Sequence, residues 1–133
     1  MLIRLAIWSA LVVSGSVCTV LADEGNAADG EAVFKVRCIG CHDVTAEATL
    51  GENNRPKPGP SLYGVIGRTA GKLPGFPYSE AMVASGIVWS RETLAPYLLS
   101  PKTVVPKNKM VFNGIKRQGE MEDLLRYLEV ATQ

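Results

Sequence analysis

Cys38-Ile39-Gly40-Cys41-His42 holds the only histidine of this 133-residue chain and two of its three cysteines. On a helical turn, residues three and four apart share a face, so Cys38, Cys41 and His42 can address one flat ligand. C-x-x-C-H is the spacing of covalent c-type haem attachment, in which two thiols add to the haem vinyl groups and the imidazole ligates the iron. Other uses of these residues fit less well. Structural zinc is four-coordinate, and beyond Ala22 the chain has no further Cys or His to complete a shell. A thioredoxin-like dithiol needs a βαβ pattern, and no strand-rich segment surrounds the motif. A disulfide between residues three apart leaves His42 without a task.

Upstream, residues 1–22 read as a secretory signal peptide. Arg4 precedes an apolar stretch from Leu5 to Leu21, and Val20-Leu21-Ala22 offers small residues for cleavage before Asp23. The expected location is therefore the periplasm, with an uncleaved membrane anchor as the alternative, since the stretch nears the length of a span. Cys18 falls in this leader and is removed with it. Residues 23–133 then form one domain. Cleavage takes Arg4 from the 14 basic residues, leaving as many as the 13 acids, so no global basic field suggests nucleic acid. The charge is unevenly spread. No acid lies between Glu92 and Glu120, where Lys102, Lys107, Lys109, Lys116 and Arg117 gather.

The pattern along the chain is helical with long loops. Asp29 or Asn26 can cap a helix that runs to Arg37 and delivers the motif at its end. From Asp43 to Pro60 the composition is that of a loop, and Gly67 to Pro77 is too rich in breakers for regular structure. Ser79 caps a short helix through Ala84 that Gly86 can stop. Ser90 caps another from Arg91 to Leu99, with Pro96 inside it as a source of kinking. Met121, Leu124, Leu125 and Leu128 recur at i, i+3, i+4 and i+7 and predict a terminal helix, with Glu120, Glu122 and Asp123 in its first turn.

With one histidine, the sixth iron position falls to Met82, Met110, Met121 or a lysine, or stays open. Met121 belongs to an apolar stripe, and Met82 sits on a short capped helix where it can serve packing. Met110 lies in a segment without helical period, behind Val104-Val105-Pro106-Lys107-Asn108-Lys109, and is the preferred ligand. His/Met ligation suits electron transfer because both axial positions are filled and the potential is raised.

Over nearly all of residues 23–133 the chain resembles the class I c-type cytochromes, the soluble monohaem type of mitochondria and of bacterial photosynthesis and respiration. The resemblance rests on Gly30, Phe34 and the motif, on Gly59-Pro60-Ser61-Leu62-Tyr63-Gly64, and on Gly67-Arg68 with Pro74-Gly75-Phe76-Pro77-Tyr78-Ser79. It continues through Trp89, Tyr97, Pro106-Lys107-Asn108-Lys109-Met110 and Leu124 with Tyr127. It implies an all-α cytochrome c fold of roughly three to five helices wrapped around one covalent haem. It further implies that Pro60 accepts the His42 Nδ1 proton, that Arg68, Tyr78 and Trp89 bond a buried haem propionate, and that Tyr97 bonds near the Met110 sulfur. Gly30 and Phe34 would interlock with Leu124 and Tyr127.

The chain also departs from the family. The loop from His42 to Pro60 is longer than in the short mitochondrial type, Met82 stands where an amide is frequent, and Lys107 and Asn108 replace the commoner Gly and Thr. The function expected is a monomeric, non-enzymatic one-electron carrier with haem c on Cys38 and Cys41, ligated by His42 and Met110. Its expected partners are acidic-faced redox proteins: an oxidase, a cytochrome bc-type complex, a reaction centre or a dehydrogenase. Two alternatives remain open here, a dedicated electron-accepting subunit of a periplasmic dehydrogenase and a ligand-binding or peroxidase-like haem protein from which Met110 leaves easily.

Overall fold

The computed structural model describes residues 24–47 and 54–133; the leader with Cys18 and the middle of the 43–60 loop lie outside them. Five helices are present among these residues: α1 Ala27–Arg37, α2 Glu80–Ala84, α3 Arg91–Leu99, α4 Pro101–Val104 and α5 Gln118–Ala131. An isolated antiparallel bridge pairs Thr69 with Val88. The chain is thus all-α, as expected. No helix among the described residues is long and apolar enough to cross a membrane.

The helix starts follow local chemistry. Asn26, not Asp29, caps α1, its side chain accepting from the N–H groups of Ala28 at 2.8 Å and Asp29 at 3.5 Å. Ser79 accepts from Met82 N–H at 3.2 Å to open α2. At α3, Ser90 N–H donates to Thr93 Oγ1 at 2.8 Å. Helix α3 runs through Pro96 to Leu99, because its buried face of Leu94, Tyr97 and Leu98 holds the turn that the missing N–H weakens. Helix α4 was not foreseen; at four residues it has no period to read, and Pro101 at its first turn is its sole local signal.

The terminal helices cross at the centre of the fold. All four apolar residues of the stripe, Met121, Leu124, Leu125 and Leu128, are buried in α5, and Phe34 of α1 packs on Tyr127 with ring centroids 5.4 Å apart. Gly30 makes the approach possible, since a Cβ there would sit 2.7 Å from Tyr127 Cβ and closer still to the Asp123 carbonyl. Arg91 joins α3 to α5 through Glu122 at 2.6 Å and Glu129 at 3.2 Å. This scaffold leaves a hollow between the end of α1, the 58–89 loops, α3 and the 109–112 segment.

Candidate haem site

The motif forms a turn directly after α1. Cys38 and Ile39 N–H both donate to Phe34 O, at 2.8 and 3.0 Å, and Cys41 and His42 N–H both donate to Cys38 O at 2.9 Å. Cys38 caps α1 outside helical geometry, with φ −123° and ψ −35°, and the turn that follows still directs Cys38, Cys41 and His42 to one cavity. No disulfide joins Cys38 to Cys41. Burial is the main cause pushing the Cys38 thiol up to about 11, so it is neutral at physiological pH.

His42 is oriented from the far side of the long loop. Its Nδ1 lies 2.8 Å from Pro60 O. A carbonyl can only accept, so Nδ1 carries the proton and the Nε2 lone pair is left for a metal. Burial lowers the His42 pKa, with the Pro60 bond opposing, which favours the neutral ring that a metal requires. Gly59 lets the loop come this close: a Cβ there would stand 2.7 Å from His42 Nδ1.

Lys57 holds the same corner, and no motif or spacing marks it. Its ammonium donates to Ile39 O at 2.8 Å, His42 O at 3.2 Å and Asp43 Oδ1 at 2.6 Å, with only 12% of its side chain exposed. It closes the ends of the 43–60 loop onto the carbonyls of the motif. Only the fold brings these acceptors together, so the role of a lysine in a polar loop is not visible in its sequence neighbours.

One cavity of about 410 Å³ gathers all nine residues expected to bind the haem or its iron: Cys38, Cys41, His42, Pro60, Arg68, Tyr78, Trp89, Tyr97 and Met110. Its volume lies within the range of cofactor pockets. Leu62, Val65, Phe76, Met82, Leu94, Leu98, Phe112, Leu124 and Leu128 make the rest of the lining mostly apolar. Arg68 and Trp89 are neighbours because Trp89 N–H donates to Arg68 O at 3.0 Å beside the Thr69–Val88 bridge. The Arg68 guanidinium also donates to Tyr63 O and Ser61 O, each at 2.9 Å, so it braces the loop after Pro60 as well as facing the cavity. Burial raises the Tyr78 phenol, with Arg68 opposing.

At the sulfur end, Tyr97 Oη donates to Met110 Sδ at 3.5 Å. Burial pushes this phenol up to about 12, so it stays a donor across the physiological range. Trp89 packs against Tyr97 with centroids 4.9 Å apart. Met82 is buried on the same wall, as packing, and Met121 belongs to the α5 core. The donor set fits haem c: two thiols, a neutral imidazole, a thioether, a largely apolar enclosure, and Arg68, Tyr78 and Trp89 to meet its carboxylates.

The basic residues of the 102–117 segment are all exposed. Lys109 is less free than its exposure suggests, since its ammonium donates to Pro77 O at 2.9 Å and Tyr78 O at 3.4 Å. Lys116 donates to Leu99 O at 2.6 Å, and Arg117 pairs with Glu120 at 3.3 Å.

No protein-family model matches the chain. Among curated proteins it is 50% identical over 106 residues to cytochrome c 2.1 of Caenorhabditis briggsae, covering 80% of this chain and 88% of that one. It is 49% identical over 106 residues to cytochrome c type-1 of Ascaris suum, with the same coverage of 80% and 88%. Cytochrome c of Stellaria longipes is 42% identical over 109 residues, covering 82% of this chain and 95% of that protein.

Proposed function

The chain belongs to the class I cytochrome c family of haem c electron carriers, which are not enzymes, and we propose that it is a soluble shuttle between larger respiratory or photosynthetic redox complexes. The observation that carries this reading is the convergence of all nine residues expected to bind the haem or its iron on one apolar cavity. Bound haem c supplies an iron that changes by one electron without bonding a substrate.

The chain's own residues do the rest. Cys38 and Cys41 would hold the group through thioether bonds, and His42 and Met110 would ligate its iron. Pro60 fixes the imidazole tautomer through the 2.8 Å contact at Nδ1. Arg68, Tyr78 and Trp89 offset the cost of burying a carboxylate. The apolar walls exclude water, so little solvent reorganises when charge changes. No second histidine exists to serve as a distal base, which argues against peroxidase-like chemistry.

The exposed lysines around Met110 steer an acidic partner to the cavity mouth, where Arg37, Lys109 and Val111 also stand. The protein acts as a monomer in the periplasm, delivered there by residues 1–22. The named relatives come from nematodes and a plant, so the mitochondrial intermembrane space is the competing location; the apolar leader supports secretory export.

Mass spectrometry of the native protein tests these points together. The expected mass is residues 23–133 plus one haem. A chain free of haem overturns the function, and an intact Met1 overturns leader removal.

A further inference from the structure

We infer that Asn108 is a positioning residue for Met110, its side chain tying the backbone of the sulfur-bearing residue to the first residue of α4 and to its C-cap. Asn108 is 7% exposed, and polar side chains so buried are rare unless fully bonded. Its Nδ2 donates to Pro101 O at 2.9 Å and to Val105 O at 2.7 Å. Its Oδ1 accepts from Met110 N–H at 2.9 Å. Two carbonyls can only accept and an N–H can only donate, so these partners allow one orientation of the amide. The anchor end is firm: Pro101 is among the most deeply buried residues and Val105 is 2% exposed.

Met110 is therefore held at two points, its N–H by Asn108 and its sulfur by Tyr97. The segment between α4 and Met110 has no regular structure of its own to fix the sulfur. Loss of the Asn108 amide frees the backbone two residues before the thioether and raises the fraction of protein in which the sulfur is away from the iron.

The inference rests on Met110 being the sixth ligand, and the experiment separates the two claims. Imidazole is titrated into the oxidised holoproteins of wild type, Asn108→Ala, Met110→Ala and Asn26→Ala, followed by the haem absorption. Because imidazole must displace the resident ligand, its apparent affinity reports the detached fraction. Asn108→Ala is expected to bind imidazole about tenfold more tightly than wild type, given roughly one to two lost hydrogen-bond equivalents. Met110→Ala binds more tightly still. Asn26→Ala, which loses a helix cap remote from the cavity, keeps the wild-type affinity.

Unchanged affinity in Asn108→Ala beside tight binding in Met110→Ala overturns the positioning role. Equal tightening in Asn108→Ala and Asn26→Ala also overturns it, because general destabilisation then suffices. Unchanged affinity in Met110→Ala overturns the ligand assignment itself. If Asn108→Ala does not accumulate with haem, Asn108→Ser takes its place, since a serine Oγ can still accept from Met110 N–H while the two donors are lost. A rise of about threefold is then expected, and no rise overturns the role.

Discussion

Lys107 has φ 66°, a left-handed conformation in which a Cβ is unfavourable. Its place one residue before Asn108 explains why the chain accepts it: the amide bonds on either side of the turn fix the path. Lys107→Gly is expected to stabilise the holoprotein by about 1 kcal/mol, read as a higher urea midpoint with unchanged slope; a lower midpoint would contradict the strain. Lys57 works in the opposite sense. Its removal leaves two carbonyls of the motif corner without their donor and Asp43, 13% exposed at its side chain, without this partner. Lys57→Ala should therefore cost about 2 kcal/mol by the same unfolding measurement, whereas a surface lysine would change nothing measurable. Neither role could be read from the sequence. Lys107 and Asn108 stood out only as departures from a pattern, and their partners lie on other segments of the chain.

Helices α1 and α5 were legible because each carries its own signal: Asn26 and the motif bracket α1, and the Met121-Leu124-Leu125-Leu128 stripe marks the buried face of α5. Ser79 and Ser90 likewise announced α2 and α3. Helix α4 was invisible, since four residues cannot express a helical period. Its position matters nonetheless, because Asn108 donates to the carbonyls of Pro101, its first residue, and Val105, its C-cap. The α1–α5 crossing was implied by family resemblance, and its physical cause is the bare Cα of Gly30 against Asp123 and Tyr127. Gly30→Ala gains helix propensity within α1 yet forces the two helices apart. The steric effect wins, and we expect a net loss of about 1–3 kcal/mol, seen as a lowered unfolding midpoint. An unchanged or raised midpoint would mean that the helices have room to spare.

Taken as a whole, the molecule spreads its charges unevenly: acids lie along α5 and the start of α1, while residues 93–119 around Met110 carry five basic residues and no acid. That asymmetry can act although residues 23–133 carry no net charge. Reduction of hexacyanoferrate(III), an anion, is expected to slow on the order of tenfold as ionic strength rises from about 0.01 to 0.1 M, while reduction of a cationic cobalt complex does not slow. Salt-independent rates with both oxidants would remove the steering. Of the nine residues lining the cavity, Cys38, Cys41 and His42 were legible from their own spacing and Met110 from its loop, whereas Pro60, Arg68, Tyr78, Trp89 and Tyr97 could be named only through the family resemblance. The clamps that hold them, Lys57 and Asn108, were not legible, because their partners are backbone carbonyls and N–H groups that no sequence pattern displays. The most direct check on the carrier assignment is the absorption spectrum of the oxidised native protein. A thioether-to-ferric-iron charge-transfer band that disappears in Met110→Ala is the expected result. Its absence from the native protein, together with ready carbon monoxide binding once reduced, would contradict a closed, His42/Met110-ligated electron carrier.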